Sequence, residues 1–365
     1  MTELLIKADS ATYPVRIGTG LLASIAQQTG GNASRVFVVT SPEIDRLWGD
    51  AARASFNQPV VTLHVPAGEQ HKRFATLERL CEELAEHGAD RDTLLIALGG
   101  GVLGDLVGFL AAVYMRGIRF VQVPTTLLAQ VDSSVGGKTG LNLRAGKNLA
   151  GSFHHPIAVF ADIDTLATLP ARELRSGLQE SVKAGVIRDA ELFAYMEANA
   201  DEIIAGDPAM LAHVIEASVR IKAQVVEADE RESGLRMILN FGHTIGHAIE
   251  AATHYNGLLH GEAIGWGMIA AVQLAVARGA LAQEDASRIM RLIHACTDLP
   301  AFNATAQQLV VLTDSDKKKR SGTLSFVLPT GIGTVQVVRD VTETELLAAA
   351  EAMLQTMRQR TAVTA

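Results

Sequence analysis

The sequence predicts an α/β N-terminal domain followed by a mainly α-helical C-terminal domain, and three observations carry that prediction. Up to about residue 165, short β-branched runs alternate with helical patterns. From Pro170 onward, apolar residues recur at helical spacing for over a hundred residues. A chain of 365 residues, 48% apolar and 20% charged, is also long enough to bury two cores.

In chain order, Arg35–Thr40, Val60–Pro66, Thr93–Leu98, Arg119–Pro124 and Ala158–Ala161 read as strands. Pro170 marks the boundary, giving domains 1–169 and 170–365. Beyond it, Ala171–Val186, Met210–Glu230, Leu235–Ala252 and Gly261–Ala280 read as amphipathic or buried helices. Two late strand-like runs, Thr323–Leu328 and Thr334–Val338, precede a final helix, Glu343–Arg358, at the edge of the second domain.

The net charge of −8 argues against nucleic acid or an anionic membrane as partner, so an anionic substrate needs a local basic cluster. The N-terminus lacks a basic segment followed by an apolar one, and the most apolar stretch, Leu94–Met115, holds five glycines and Asp105. Neither a signal peptide nor a membrane span is expected. Cys81 and Cys296 stand far apart, which fits a reducing cytoplasm and gives no thiolate metal site.

Between Leu235 and Glu250, Arg236, Asn240, His243 and His247 fall at steps of four, three and four, one face of a continuous helix. The remaining positions are apolar, so the helix should be buried, and a buried guanidinium, amide and two imidazoles require a shared ligand or metal. Spacing alone pairs His243 with His247 on one ion. A further carboxylate and His must come from elsewhere, and spacing does not choose Glu180 and His260 over Glu250, His254 or Glu262. No HExxH is present, so a zincin protease is not indicated.

LLIALGGGVLGD runs from strand into helix, and Gly99, Gly101 and Gly104 satisfy GxGxxG. The motif comes on about the fourth strand with no acid at the usual distance, so tight glycine packing without a nucleotide is the alternative reading. Asp105 and Gly68–Lys72 are further candidates to line a nucleotide cleft. A second glycine-rich stretch, VPTTLLAQVDSSVGGKTGLNLRAGKN, reads as a loop whose hydroxyls and amines suit phosphate: Thr125, Thr126, Asp132, Lys138, Lys147 and Asn148. Glu180 and Lys183 share a helix face, ordinarily a surface salt bridge. Lys222 and Glu232 follow, and His260 starts an apolar, Gly-rich helix.

Together, GGGVLGD, VPTTLLAQVDSSVGGKTG, GKN, LNFGHTIGHAIE and LHGEAIGWGM resemble the 3-dehydroquinate synthases, over roughly Gly68 to Lys319. The resemblance implies an NAD-binding domain, a helical metal- and substrate-binding domain, an active site in the interdomain cleft and a homodimer in the cytoplasm. It implies Glu180, His243 and His260 as ligands of Zn2+ or Co2+, which replaces the His243–His247 pair and frees His247. The implied reaction is that of a carbon–oxygen lyase of the shikimate pathway, on the way to chorismate and the aromatic amino acids. It converts 3-deoxy-D-arabino-heptulosonate 7-phosphate to 3-dehydroquinate and phosphate by transient NAD oxidation at C5, phosphate elimination, re-reduction, ring opening and aldol closure.

By the same resemblance, Arg236 meets the substrate carboxylate, and Lys138, Asn148, Asn240, His247 and one of Lys317 or Lys318 hold the phosphate. Asp132, Lys183 and Lys222 orient ring hydroxyls, Glu232 is an acidic relay, and Arg116 reaches into the partner subunit's site. NAD would lie against Glu69, Gln70, His71, Lys72, Gly100, Gly101, Val102, Gly104, Asp105, Thr125, Thr126, Lys147 and Thr168. The chain departs from the commonest pattern at LQESVKAG, in place of AEVIKYG, and at GSFHHP, in place of AFYQP, so Gln179 and His154 bear on pocket shape. Sister cyclases that make 2-deoxy-scyllo-inosose or a valiolone use substrates without a carboxylate, and Arg236 with Lys222 favours the acid. A metal-dependent polyol dehydrogenase would release NADH and have no use for Lys138, Asn148 and Asn240 around a phosphate.

Overall fold

The computed structural model describes residues 1–29, 32–232, 234–255, 257–319 and 324–364, with the side chains of 314–319 and 361–364 outside the description. In the first part of the chain, β1 (Thr2–Lys7) and β2 (Thr12–Gly18) precede β3 (Val36–Thr40), β4 (Val60–His64), α1 (Phe74–Glu86), β5 (Leu94–Gly99), α2 (Gly101–Val113) and β6 (Arg119–Pro124). A hairpin of β7 (Lys138–Leu143) and β8 (Gly146–Phe153) then leads to β9 (Ala158–Asp162). Seven of these strands form one sheet in the order β1-β2-β9-β6-β5-β3-β4, parallel throughout except for the antiparallel edge pair β1–β2.

The central runs β3, β5, β6 and β9 are buried on both faces, as a parallel sheet requires. Phe37, Val39, Leu95 and Ala97 pack with Leu80 and Leu84 of α1 and Leu106 and Leu110 of α2. The alternate positions, Val36, Val38, Leu94 and Ile96, pack on the other side with Leu21, Leu22 and Ile25. The strand order reverses between β3 and β5, and ligands of open α/β sheets bind at the carboxyl ends of such a pair. The glycine run beginning at Gly99 sits at that point.

The next long helices are α3 (Ala171–Arg188) and α4 (Pro208–Ala228). Two compact units result: Met1–Pro170 with Pro208–Glu230, and Ala171–Asp207 with Arg231–Ala365. The single division into 1–169 and 170–365 is therefore corrected, because α4 packs with the first unit. Its Glu216 accepts from Thr2 Oγ1 at 3.0 Å and Glu227 from the Lys7 amide at 3.1 Å, both on edge strand β1. Helical periodicity defines an apolar face but not the core that receives it.

Glu230, just past α4, accepts from the Ser10 hydroxyl at 2.5 Å, the Ser10 amide at 3.1 Å and His155 Nε2 at 3.1 Å. Chiefly through the Ser10 hydroxyl, the Glu230 carboxyl is held down to about 2. A carboxyl depressed in the folded state stabilises above its ordinary pKa and loses that contribution as pH falls toward 2. Calorimetry should therefore find Glu230→Gln less stable than the parent at pH 7, with the difference shrinking between about pH 5 and pH 2. A difference independent of pH would assign the loss to packing.

The second unit continues with α5 (His243–Ala252), α6 (His260–Ala277), α7 (Gln283–Cys296) and α8 (Ala306–Lys319), a hairpin of β10 (Phe326–Gly331) and β11 (Thr334–Val338), and α9 (Glu343–Thr364). α6 is buried over most of its length, and its apolar, Gly-rich sequence suits a central helix. Thr323, at the start of one expected strand, lies outside the described residues. Among the described residues, no helix is long and apolar enough to cross a membrane.

Two further expectations are overturned, and two strands are added. Leu235–Ala252 is not one helix: a 3-10 segment, Leu235–Asn240, ends at Phe241, and α5 starts only after Gly242. Gly242 has φ 79°, and a Cβ there would stand 2.5 Å from Met268 Cγ and 3.0 Å from the Ile264 carbonyl oxygen. The four-residue stripe is therefore not one helical face. The Lys138–Asn148 stretch is a hairpin, because its small residues permit close strand pairing. β1 and β2 are added; their half-solvated edge and Pro14 weaken the strand signal.

Candidate functional site

In the second unit, Glu180 of α3, His243 at the start of α5 and His260 at the start of α6 bring their ligand atoms within 4.8 Å of one another. His243 Nε2 lies 3.6 Å and His260 Nε2 3.5 Å from the same oxygen, Glu180 Oε1. Two atoms each about 2.1 Å from a tetrahedral ion stand roughly 3.4 Å apart, so the three fit a single divalent cation. Glu180 is 3% exposed; its Oε2 is ion-paired with Lys183, and its Oε1 faces the two imidazoles. A buried carboxylate oxygen flanked by two imidazole nitrogens suits a cation. His243 Nδ1 faces the Phe241 carbonyl at 3.1 Å; a carbonyl only accepts, so Nδ1 carries the proton and Nε2 keeps its lone pair.

The electrostatics agree with a cation site. Burial pushes the Glu180 carboxyl up, but Lys183 and the two imidazoles outweigh it and hold the group well below the usual range. Burial, then Lys183, pushes His243 down to about 3. His260 is raised to about 10, because Glu180 and Glu250 overcome the burial that opposes its charge. A proton on His260 thus occupies the place of positive charge that a metal would take. The Glu180–Lys183 pair is not a surface salt bridge, since Lys183 is also 3% exposed.

His247 is exposed on α5, its ring 5.3 Å from that of His243 and 6.2 Å from that of His260. With Glu250 and His260 it forms a second group within 4.8 Å. Asn240 Nδ2 donates to Glu232 Oε1 at 2.9 Å, and Glu232 has φ 61°. Arg236 is 2% exposed on the 3-10 segment. Lys317 and Lys318 are on α8, but their side chains lie outside the described residues.

In the first unit, the glycine run turns from β5 into α2. A Cβ at Gly104 would meet Gln122 Oε1 at 2.5 Å, so this glycine lets the helix approach β6. The amides of Gly101 and Val102 precede the first helical donors, Leu103 and Gly104, and so face outward from the helix N-terminus. Lys72, 3% exposed, donates to Asp105 at 2.6 Å and to Asn148 Oδ1 at 2.5 Å. Burial raises the Asp105 carboxyl against the pull of Lys72. Glu69 Oε1 accepts from Asn142 Nδ2 at 2.6 Å, and Asn142 Oδ1 accepts the Asn148 amide at 2.8 Å. Asn142, which no motif singles out, thus links both sets; its one signal is an inward polar side chain on a strand. Gln70 is exposed and His71 half-buried beside Glu69.

Lys222 of α4 donates to the Asp132 carboxylate at 2.7 Å and to its carbonyl, which ties α4 to the glycine-rich segment ahead of exposed Lys138. Thr125 is buried, its amide on the Gly99 carbonyl at 3.0 Å. Thr126 accepts from the Ala129 amide, and Lys147 is half-buried on β8. Thr168 accepts from Trp48 Nε1 at 3.0 Å. Arg116 is exposed with φ 69°, after Met115 at 49°. Gln179 is buried and donates to Thr297 and the Ile293 carbonyl, while His154 stacks on Phe120.

Comparison with known proteins covers both units. Residues 62–176 match the 3-dehydroquinate synthase N-terminal model and 177–319 the 3-dehydroquinate synthase C-terminal model. The 3-dehydroquinate synthase of Solibacter usitatus is 45% identical over 345 residues, 94% of this chain and 97% of that protein. That of Koribacter versatilis is 46% identical over 358 residues, 96% of this chain and 98% of that protein. Among solved structures, a 2-epi-5-epi-valiolone synthase from Streptomyces hygroscopicus with NAD+ and Zn2+ bound superposes with TM-score 0.86 at 32% identity, covering 96% and 98% of the two chains. A 2-deoxy-scyllo-inosose synthase with carbaglucose-6-phosphate, NAD+ and Co2+ gives 0.87 at 27%, covering 96% and 99%. A glycerol dehydrogenase from Schizosaccharomyces pombe shares the fold alone, with TM-score 0.65 at 16% identity. With both family models matched end to end and relatives near half identical over almost its whole length, the chain belongs to the 3-dehydroquinate synthase family.

Proposed function

We propose that the chain converts 3-deoxy-D-arabino-heptulosonate 7-phosphate to 3-dehydroquinate and phosphate, using NAD and Zn2+ or Co2+. The observation that carries the reading is the convergence of Glu180, His243 and His260 in the segment that matches the family's C-terminal model. When bound, NAD accepts and returns a hydride at C5 while the metal polarises the C5 oxygen. Glu180, His243 and His260 would hold the ion, and a three-ligand set is the kind that suits a catalytic rather than a structural metal. Residues at the carboxyl end of the sheet would hold NAD, with the outward amides of Gly101 and Val102 at the α2 N-terminus as donors for an anionic group. Lys72, Asp105 and the Glu69–Asn142 pair support that position.

The remaining residues act on the substrate. Arg236 is a planar fork suited to a carboxylate. Lys138, Asn148, Asn240, His247 and one of Lys317 or Lys318 bind the phosphate; the bond from Lys72 to Asn148 ties Asn148 to the nucleotide residues. Asp132, Lys183 and Lys222 orient ring hydroxyls, with Lys222 already aligned by Asp132. Glu232 is the acidic relay residue, its carboxylate oriented by the hydrogen bond it accepts from Asn240. Arg236 is also what separates this reading from the sister cyclases, whose sugars carry no carboxylate for it.

The test is phosphate release with a trace of NAD and added zinc. The heptulosonate phosphate is compared with sedoheptulose 7-phosphate and glucose 6-phosphate. Release from the first alone, with no net NADH, is expected. Release from another sugar phosphate would make the chain a sister cyclase, and accumulating NADH without phosphate a dehydrogenase.

The chain is also proposed to act as a homodimer through the first unit. Phe74, Val113, Met115, Leu149 and Phe153 are 42% to 50% exposed on α1, the end of α2, the turn after it and strand β8. Exposed large apolar side chains of this kind are the residues an association surface would use. Arg116, exposed next to Met115, is the residue proposed to reach the partner's site. Sedimentation should give twice the chain mass, and Met115→Glu with Phe153→Glu should give the monomer. A monomeric parent chain would remove the assignment.

A further inference from the structure

The geometry points to Glu250 as a positioning residue that orients and strengthens His260 as a metal ligand without itself touching the ion. The inference rests on the proposed assignment of Glu180, His243 and His260 to the metal.

An imidazole has two nitrogens. If His260 Nε2, 3.5 Å from Glu180 Oε1, gives its lone pair to a cation, Nδ1 must carry the proton and needs an acceptor. Glu250 Oε1 lies 3.5 Å from that Nδ1, across the ring from Glu180. Glu250 is 6% exposed on α5, and a carboxylate is costly to bury unless a charged or donating partner faces it. Outer carboxylates of this kind fix the tautomer of a metal-bound His and raise its basicity. The two imidazoles differ here: His243 leans on the neutral Phe241 carbonyl, His260 on an anion.

The backbone beneath His260 is fixed independently, which leaves its ring orientation to Glu250. Glu262 takes Arg172 through two hydrogen bonds, at 2.6 and 2.8 Å, and accepts the Leu259 amide at 2.7 Å. Arg172 also donates to the Gly257 carbonyl at 2.7 Å. The Gly261 amide donates to Ser176 Oγ on α3 at 3.0 Å. Glu262 is thereby committed to the helix start, so Glu250 is the carboxylate that addresses the ring.

The test uses the full chain stripped of metal, titrated with Zn2+ against a chromophoric chelator, and with Co2+ for its visible spectrum. Glu250→Ala is expected to weaken metal affinity by about 10- to 100-fold and to shift the Co2+ bands. Glu250→Gln, which keeps an acceptor but not the charge, should lose less. Unchanged affinity and bands in both variants would overturn the inference. So would abolition of binding by Glu250→Ala and His247→Ala alike, since Glu250 would then be a ligand. If Glu250→Ala does not fold by circular dichroism, Glu250→Gln carries the same comparison through its Co2+ bands. His260→Ala is the separate check on the underlying assignment, because metal binding equal to the parent's there would remove the ligand set itself.

Discussion

Glu180→Gln, His243→Ala and His260→Ala are each expected to lose bound metal and turnover together, whereas His247→Ala keeps its metal and loses turnover. The first three remove atoms that converge on Glu180 Oε1. A cation polarising the reacting oxygen is worth several kcal/mol in the transition state, and each 1.36 kcal/mol is a factor of ten in rate. A fall of roughly a thousandfold or more is therefore expected. For His247, a phosphate contact or proton transfer predicts about a hundredfold to ten-thousandfold, with metal content at parent level. Metal analysis of the dialysed variants beside their rates separates the two classes. If His247→Ala empties the site while His243→Ala leaves it filled, the metal belongs to His247, Glu250 and His260, the other group within 4.8 Å.

The sequence carries more of this arrangement in some places than in others. The buried strands were legible because parallel strands are apolar on both faces, and Arg119–Pro124 coincides with such a strand, while Thr334–Val338 coincides with a half-exposed strand of an antiparallel hairpin. The β1–β2 pair was not, because a half-solvated edge strand containing Pro14 gives a weak pattern. The affiliation of α4 was not legible either, since Thr2–Glu216 and Ser10–Glu230 are contacts over two hundred residues apart in sequence. At the site, helical spacing pointed to His243 and His247, which do lie one turn apart on α5. Spacing has no access to Glu180 and His260, which come from other helices; only resemblance named them. Glu250 and Glu262 stood as equal alternatives in sequence, and their contacts alone separate them: one faces an imidazole, the other an arginine and a helix start.

Gly267→Ala is expected to destabilise the second unit by about 3 kcal/mol or more, and far more than Gly246→Ala. Both glycines lie where α5 and α6 cross, and an added methyl meets different matter at each. At Gly267 the Cβ would stand 1.9 Å from the Gly242 carbonyl oxygen and 2.7 Å from the Gly246 amide nitrogen. Those are backbone atoms, which move only if the helices separate. At Gly246 the nearest atom, at 2.6 Å, is the terminal methyl of Ile264, with the Ala263 carbonyl oxygen next at 3.2 Å. A side-chain methyl can turn aside, so the cost there is smaller. The separation also displaces Gly242, whose φ of 79° ends the 3-10 segment and starts α5 one residue before His243. Gly267→Ala should therefore lower metal affinity as well as thermal stability, although the residue is two turns from His260. Thermal unfolding of the metal-free chains ranks the two variants, and metal titration of the folded fraction reads the second effect. Equal losses would mean that the crossing yields as readily as a side chain, and that His243 is placed by something other than the close contact of these two helices.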